Sequence, residues 1–386
     1  MKQKMLLLLS VMILFFSCTQ QKQNVLHGKI EGLEVGDKII LSVEDPNSSS
    51  WIATDSTIIE KAGEFTLTTK VSGSSVQLTP LKTGEEFNPS DTQAPNTFLE
   101  GYANLNVSGD ADDWYYTIKV TGGLFDHPDM QEINHLTDSL RFLHKEGAAL
   151  RKKARETQDE ELYSKGEALY RQANQIADIV KSLNNDFVKK HFDMAYSADL
   201  LRYNYDIMKD INKYEEAFKA FTPLVQNSPA GILIKNYITN VHASGIGAIA
   251  PDFNLKSLDN QNITLSGFRE KYILLDFWGS WCGPCRESSP LLVELYNNLK
   301  ENEANIEFIG IACNEQNDEN WIAAVESDKL AWIQLNDAHV KNTQSIQKQY
   351  AIKGVPTCVL ISPDGKIIYK EHPLKIIPKV KEIFGL

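Results

Sequence analysis

The sequence predicts a multidomain protein with an antiparallel β domain at residues 25–125, a helical region at residues 126–242 and an α/β domain with a mixed central sheet at residues 247–386. Three observations lead to this prediction. Short alternating segments separated by Gly, Asn and Asp indicate strands in the first part. Apolar residues at helical spacing dominate the second part. Apolar strands alternate with amphipathic helices in the third part, which is typical of an α/β fold.

In the first part, the segment STIIEKAGEFTLTTKV predicts a β-hairpin. Ile58 and Ile59 precede a turn at residues 61–63, and Phe65 and Leu67 then alternate with threonines. In the helical region, apolar side chains at helical spacing predict packed faces: Leu136, Leu140, Leu143, Leu150, Leu162, Leu169, Ile176, Val180, Leu183 and Phe187. The pattern favours a helical spacer, with a platform for a substrate or a partner as the alternative.

A Gly-rich segment at residues 243–255 predicts a linker into the last part. The apolar runs that follow predict strands and helices in turn. The predicted strands are residues 272–278, 306–313, 331–335, 357–362 and 366–370, and the predicted helices are residues 284–300, 318–328, 340–350 and 376–384.

The net charge of -12 argues against non-specific nucleic-acid binding, which needs a basic surface.

The N-terminus has the residue order of a signal peptide. Lys2 and Lys4 precede an apolar run from Met5 to Phe16, and this order predicts a secretory signal peptide at residues 1–17. The run is shorter than the ~20 residues that span a bilayer as a helix.

The residues LFFSC resemble the lipobox of bacterial lipoproteins. This resemblance implies that Cys18 carries lipid and anchors the protein to a membrane of the bacterial cell envelope, facing the periplasm, with residues 18–24 as a tether. Plain secretion, with Cys18 removed, is the alternative. An exported chain lies where disulfides persist, so the remaining four cysteines, Cys282, Cys285, Cys313 and Cys358, need separate interpretation.

Cys282 and Cys285 lie at the predicted junction of a strand and a helix. The free N–H groups and the positive dipole end of a helix stabilise a thiolate over a thiol, and the thiolate is the nucleophile in disulfide exchange. Cys285 follows one helical turn later and lies where it can resolve a mixed disulfide. Pro284 is tolerated there because the first helical turn leaves its N–H groups unpaired.

Three other interpretations of the pair have less support. A zinc site needs further ligands, and the sequence has no second Cys-x-x-Cys motif. A static disulfide over so short a loop adds little stability. The segment APDFNLKSLDNQNITLS resembles the opening of peroxiredoxins, but Leu275 and Gly279 occupy positions where that family's motif has Pro and Thr or Ser.

The motif DFWGSWCGPC resembles the active site of thioredoxin, in a chain similar to the TlpA/ResA-type extracytoplasmic oxidoreductases from about residue 247 onward. The resemblance implies a thioredoxin fold and a protein-disulfide oxidoreductase that needs no cofactor or metal. In KGVPT, Pro356 matches the family's cis-proline, which faces the dithiol. Asp276 matches the buried acid that moves a proton to or from Cys285. By the same resemblance, four residues border the substrate groove: Trp281, Gly283, Pro284 and Val355.

Three further features concern the fold and the core. The DST…GEFTL core of residues 55–67 resembles the β-domain of unknown function that precedes thioredoxin-like domains in lipoproteins of Bacteroidetes-type bacteria. Trp278 is expected in the core or as support for the rim. Cys313 and Cys358 fall in apolar strands, where a free cysteine behaves as a small hydrophobe, and a regulatory role is the alternative.

The sequence therefore predicts an envelope thiol–disulfide oxidoreductase that acts on protein thiols and disulfides. The Gly-Pro pair between the cysteines resembles reducing thioredoxins and favours a reductase, which a membrane redox partner would recharge. One alternative is an envelope binding or assembly lipoprotein in which the dithiol is secondary. Another is a thiol peroxidase-like antioxidant.

Overall fold

A computed structural model describes residues 22–45, 51–88, 94–315, 317–340 and 344–386. The predicted signal peptide and the predicted lipidation site, Cys18, lie outside these ranges. The predicted tether is described only from Lys22, and its last residue, Asn24, already begins a strand. Within the described ranges, no helix is both long enough and apolar enough to cross a bilayer.

The first region is built from two four-stranded sheets, in the orders β4-β1-β7-β8 and β3-β2-β5-β6. The strands are β1 (Asn24–Glu31), β2 (Lys38–Glu44), β3 (Trp51–Ile58), β4 (Glu64–Thr69), β5 (Ser74–Leu81), β6 (Asn96–Leu99), β7 (Asn104–Asp110) and β8 (Lys119–Thr121). The predicted antiparallel domain is confirmed, although β1 and β7 pair in parallel. Apolar residues of both sheets, such as Leu26 and Leu41, form a shared core.

The predicted hairpin is wrong in its pairing. Its two strands exist as β3 and β4, but β3 pairs with β2 and β4 pairs with β1, in different sheets. The turn carries the chain from one sheet to the other. The Ile59 N–H still donates to the Asp37 carbonyl beside β2, whereas the Gly63 carbonyl already accepts from the Ile30 N–H of β1. Phe65 and Leu67 alternate inward as predicted.

The helical region contains α1 (Trp114–Thr117), α2 (Pro128–Thr157), α3 (Glu160–Lys190), α4 (Ala195–Arg202), α5 (Tyr205–Met208), α6 (Ile211–Lys219), α7 (Pro223–Gln226) and α8 (Pro229–Ala243). The long helices α2 and α3 pack against each other. They approach closely at Gly166, where a Cβ would lie 3.1 Å from the Gly147 carbonyl oxygen. Asp159 caps the start of α3 by accepting from the N–H groups of Glu161 and Leu162.

The last region begins with a small antiparallel pair, β9 (Asn254–Lys256) and β10 (Asn262–Thr264). Its main sheet has the order β13-β12-β11-β14-β15. The strands are β11 (Tyr272–Trp278), β12 (Ile306–Ala312), β13 (Ile333–Asn336), β14 (Thr357–Ile361) and β15 (Ile367–Glu371), and the helices are α9 (Gly283–Glu301), α10 (Asp318–Ser327), α11 (Ile346–Gln349) and α12 (Pro373–Phe384). Short 3₁₀ turns occupy Ala111–Asp113, Gly123–Asp126, Leu265–Phe268 and Asp337–His339.

The main sheet is mixed, as predicted. Strands β11, β12 and β13 run parallel, whereas β14 is antiparallel to both β11 and β15. Because successive side chains of a strand point to opposite faces, Leu274 and Trp278 join the core on one side of the sheet and Leu275 and Phe277 join the core on the other.

The sequence predicts a helix over residues 340–350, and the structure shortens it. Among the described residues of this range, α11 covers Ile346–Gln349 and residues 340, 344 and 345 are not helical, while residues 341–343 lie outside the described ranges. The Asp337 carboxylate accepts from the N–H groups of Ile346 and Gln347, so the helix begins where this acid can cap it.

Candidate functional site

Cys282 and Cys285 lie where β11 has ended and α9 begins. Cys282 occupies the N-cap of α9, and its Sγ accepts from the Cys285 N–H at 3.2 Å. The two cysteines form a disulfide with a Cα–Cα distance of 5.2 Å, within the ordinary range for such bonds. Pro284 sits in the first turn, as expected from its missing N–H. The sequence motif therefore folds into a redox pair at a helix N-terminus.

The N-terminus of α9 favours the charged form of one of the two sulfurs. When the pair is reduced, the Cys285 N–H that points at Cys282 Sγ and the dipole of this 19-residue helix favour the thiolate of Cys282. Cys282 is 5% exposed and Cys285 is 2% exposed, so both are largely shielded from water. The Cys282 sulfur lies beside the loop that precedes β14, and Cys285 is the more deeply buried of the two.

The loop before β14 lies against the disulfide. The Val355–Pro356 peptide bond is cis, as the resemblance implies. The Val355 carbonyl oxygen is 3.8 Å from Cys282 Sγ. The Thr357 hydroxyl donates to the Gly354 carbonyl at 2.7 Å and closes this turn. Tertiary folding thus brings two motifs together that lie 73 residues apart in the sequence.

Asp276 is buried on the face of the sheet that carries α9, because it alternates along β11 with Leu274 and Trp278. It lies in the middle of β11, opposite Gly310 on β12 and Cys358 on β14. Its side chain is 3% exposed, and the Cys358 thiol donates to its Oδ1 across 3.7 Å. Burial raises the pKa of Asp276 to about 7, while the thiol hydrogen bond opposes that rise. A carboxyl with this pKa can accept and return a proton near neutral pH.

The predicted rim residues surround the disulfide at the surface. Trp281 is 56% exposed, and its indole Nε1 donates to the Cys313 carbonyl at 3.0 Å. Gly283 and Pro284 are exposed, and Val355 is half-buried. Together they form an accessible surface beside Cys282.

Trp278 lies in the core, one of the two places the sequence left open for it. It is 2% exposed, and its Nε1 donates to Gln334 Oε1 at 3.2 Å. Cys313 and Cys358 are both free and fully buried, as expected for small apolar residues.

Two acidic residues that sequence reasoning missed, Glu315 and Asp328, bond to residues in and beside the motif. The buried Glu315 carboxylate accepts from the Ser280 N–H and the Ser280 hydroxyl, both at 2.6 Å. On the other side, the Arg286 guanidinium pairs with the Asp328 carboxylate through two hydrogen bonds. These partners lie 35 and 42 residues from the motif, so local spacing carried no signal for them.

The described residues contain one three-residue group with the chemistry of metal ligands, formed by His127, Asp129 and His191 of the helical region. His191 Nε2 lies 2.7 Å from Asp129 Oδ2, and the Lys190 ammonium lies 3.6 Å from Oδ1. His127 Nδ1 accepts from the Asp129 N–H at the start of α2. These side chains bond to one another and tie the start of α2 to the end of α3, so a structural role accounts for them.

Comparison with known proteins identifies the family. A family model described as thioredoxin-like matches residues 270–367. A thiol-disulfide oxidoreductase ResA of Bacillus thuringiensis subsp. konkukian is 35% identical over 136 residues, which are 35% of this chain and 75% of that relative. The chain belongs to the ResA family of thiol–disulfide oxidoreductases. A ResA of Bacillus cereus is 32% identical over 152 residues, covering 39% of this chain and 84% of the relative.

A solved structure extends the comparison. The thioredoxin domain of a thiol-disulfide oxidoreductase from Bacteroides vulgatus is 30% identical and covers 36% of this chain and 97% of that domain, with a TM-score of 0.33. The predicted thioredoxin fold and the predicted enzyme class, a protein-disulfide oxidoreductase, are confirmed. These ResA-type matches cover little more than a third of the chain, 35% and 39% for the two ResA relatives.

Proposed function

We propose that this protein is a reductase of protein disulfides in the bacterial cell envelope, and that Cys282 and Cys285 are its catalytic pair. The observation that carries the proposal is the position of Cys282, whose Sγ caps α9 and lies 3.8 Å from the carbonyl of the cis-proline loop. This position supports a stabilised thiolate beside a surface where a substrate can dock.

The reaction proceeds in two exchanges. The Cys282 thiolate attacks one sulfur of a substrate disulfide, so a mixed disulfide forms and the other substrate sulfur leaves as a thiolate. Cys285 then loses its proton and attacks Cys282 Sγ, which releases the second substrate thiolate and forms the Cys282–Cys285 disulfide. The substrate gains two electrons and the dithiol loses them. The departing thiolates take protons from the site or from water.

Asp276 takes the proton of Cys285 in this scheme. The carboxyl is buried on the face of the sheet that carries α9, and burial raises its pKa to about 7, so it changes protonation in the pH range where the exchange occurs. Pro356 shapes the loop that faces Cys282. Trp281, Gly283, Pro284 and Val355 form the surface that contacts the substrate.

The surroundings of the enzyme complete the proposal. Lipid on Cys18 would hold the protein at a membrane on the periplasmic side. A membrane redox partner would donate two electrons to the Cys282–Cys285 disulfide after each turnover. The Gly-Pro pair between the cysteines supports the reducing direction, because it resembles that of reducing thioredoxins.

The Cys285→Ala variant tests the catalytic proposal. Without Cys285 the mixed disulfide on Cys282 is not resolved, so we expect covalent complexes with envelope proteins, which a reducing agent dissociates. The matched control is the double variant Cys282→Ala, Cys285→Ala, which should trap nothing. If the single variant also traps nothing and the thiol of Cys282 titrates as an ordinary cysteine, the enzyme role of the pair is wrong.

The anchor has a separate test. The Cys18→Ala variant should lose the lipid and leave the membrane fraction. A variant that stays with the membranes would contradict anchoring through Cys18.

A further inference from the structure

Four residues on neighbouring strands form a row across the main sheet, and three of them have polar side chains. Gln334 on β13 lies opposite Gly310 on β12, Gly310 lies opposite Asp276 on β11, and Asp276 lies opposite Cys358 on β14. Residues opposite one another on neighbouring strands direct their side chains to the same face. That face carries α9, because Cys282, Cys285 and Cys358 belong to one buried cluster.

The Gln334 side chain fills the space that Gly310 leaves open. A Cβ at Gly310 would lie 2.3 Å from Gln334 Oε1, so this strand position accommodates only a glycine while the amide stays in place. Gln334 Oε1 accepts from Trp278, and its buried Nε2 has no hydrogen-bond partner among the described residues. The β12 side of Asp276 is thus occupied by a neutral amide and a glycine.

Cys358 occupies the other side of Asp276. The thiol is fully buried and donates to Asp276 Oδ1 across 3.7 Å. Burial raises the pKa of the Cys358 thiol well above its ordinary value, and the neighbouring Asp276 charge raises it further. Cys358 therefore keeps its proton and remains a donor throughout the pH range in which Asp276 titrates.

The groups around Asp276 leave this thiol as its principal partner. The other titratable group nearby among the described residues is the Cys313 thiol after β12, whose pKa the Asp276 charge helps to raise. The Cys282–Cys285 pair at the start of α9 is a disulfide and does not titrate in this state. Beyond Cys358 in the row lies Glu371 on β15, which pairs with Lys375 at the surface. Within the described ranges no charged side chain bonds to Asp276.

We propose that Cys358 is a positioning residue for the proton step, because its thiol holds the Asp276 carboxylate by a hydrogen bond and favours its charged, proton-accepting form. This inference rests on the proposed function, since it assigns Cys358 a part in the proton transfer from Cys285. It differs from the sequence-based interpretation of Cys358 as a small apolar residue. The thiol forms no bond to substrate and exchanges no electrons.

Titration of the Asp276 carboxyl carbon by ¹³C NMR in the oxidised protein tests the hydrogen bond without any substrate. Replacing Cys358 by Ala removes the donor, so the midpoint should rise by about half to one pH unit, the worth of one neutral hydrogen bond. Cys358→Val, which fills the space without a donor, should give the same rise and serves if the Ala variant does not fold. Cys358→Ser retains a donor, and its midpoint should stay nearer to that of the wild type.

Cys313→Ala is the matched control, because Cys313 is equally buried but donates to the Ile311 carbonyl. It should leave the Asp276 midpoint unchanged. The inference is overturned if the Cys358 variants titrate like the wild type, or if Cys313→Ala shifts the midpoint as much.

The role in catalysis has its own readout, the pH dependence of substrate release from the mixed disulfide on Cys282. In Cys358→Ala the rise of this rate with pH should move upward together with the Asp276 midpoint. An unchanged profile in a variant whose carboxyl midpoint has moved would overturn the role of Cys358. A wild-type protein that reduces no protein disulfide at any pH would instead refute the proposed function, so the two failures are distinguishable.

Discussion

The Lys353 ammonium donates a hydrogen bond to the Met208 carbonyl across 2.6 Å and lies 5.2 Å from the ring centroid of Tyr237. Lys353 belongs to the loop that contains the cis Pro356, whereas Met208 and Tyr237 belong to α5 and α8 of the helical region. The helical region therefore contacts the loop that faces the disulfide. Part of the long segment that precedes the thioredoxin-like domain thus lies beside the redox site.

The Lys353→Met variant should loosen this contact. It removes a charged donor and a cation–π contact but keeps an apolar stem of similar length. Because the side chain is exposed, we expect a loss of only about 1 kcal/mol, which corresponds to roughly fivefold faster amide exchange in residues 353–358. Hydrogen–deuterium exchange measures this change.

Lys375→Met is the control for that experiment. Lys375 is an exposed lysine of the same domain that pairs with Glu371 on the surface. Its replacement should leave exchange in the cis-proline loop unchanged. Equal exchange in the Lys353 variant and the wild type would show that Lys353 does not hold the loop.

A buried ionic cluster joins the three regions. The Arg202 guanidinium of α4 pairs with Glu44 of β2 and with Asp199, the latter at 2.9 Å. Ser75 donates to Asp199 at 2.7 Å, and Lys348 of the last region lies 3.7 Å from Glu44. The cluster thus links the β domain, the helical region and the thioredoxin-like domain.

The Arg202→Met variant should destabilise this junction. It would leave two carboxylates without their main partner in a largely buried place, at a cost of about 3 kcal/mol in the free energy of unfolding. Urea denaturation measures that cost, and hydrogen exchange of β2 and α4 locates it. Arg171→Met, on an exposed position of α3, is the control and should be neutral. A neutral Arg202 variant would mean that the cluster contributes nothing to the junction.

Trp281 should determine how tightly a protein substrate binds. Its indole N–H bonds to the Cys313 carbonyl, but the residue is 56% exposed beside Cys282, and a bound substrate would cover that exposed surface. Trp281→Ala should raise KM for a disulfide-bonded protein about tenfold, with a smaller change in kcat, because the lost contact is present in the bound substrate and in the transition state alike.

Trp281→Phe keeps an apolar face but loses the hydrogen bond to the Cys313 carbonyl, so it should retain most of the affinity. Leu374→Ala removes an equally exposed apolar side chain at the start of α12 and should not change KM. If Trp281→Ala lowers kcat and leaves KM unchanged, Trp281 supports the motif rather than the substrate.

The sequence predicts the last region better than the first. The strand at residues 272–278 has the predicted bounds, because a continuous apolar run before a helix cap fits a buried strand of an α/β sheet. In the β domain the alternation of Phe65 and Leu67 identified the strand and its buried face. It did not identify the partner strand, because alternation reports which face is buried and not which sheet the strand joins.

The candidate site also has a part that the sequence predicts and a part that only the folded structure shows. Resemblance of short motifs to a known family pointed to Cys282, Cys285 and Pro356, because the residues next to them in the sequence identify those motifs. The bonds from Glu315 to Ser280 and from Cys358 to Asp276 depend on which strands lie side by side, and that order is a property of the whole sheet. These contacts became visible only in the folded structure.

Asp276 should lower stability at neutral pH. Burial raises its pKa from 3.8 to about 7 in the folded protein. Below about pH 4 the carboxyl is protonated in both states, so it costs nothing. As the pH rises from about 4 to 7, the unfolded chain ionises and the folded protein does not, so stability falls with rising pH. Above about pH 7 the full cost is present. It amounts to about 4 kcal/mol, because each pH unit between the unfolded and folded pKa values is worth ~1.4 kcal/mol.

The Asp276→Asn variant removes this cost and keeps an oxygen that accepts from Cys358. We therefore expect it to exceed the wild type in free energy of unfolding by up to about 4 kcal/mol at pH 8, and by less than half of that at pH 5. Urea denaturation of both proteins at the two pH values measures the difference, in which contributions of all other groups cancel. An equal gain at both pH values would show that the amide improves packing and that the Asp276 carboxyl is not held near neutrality by burial.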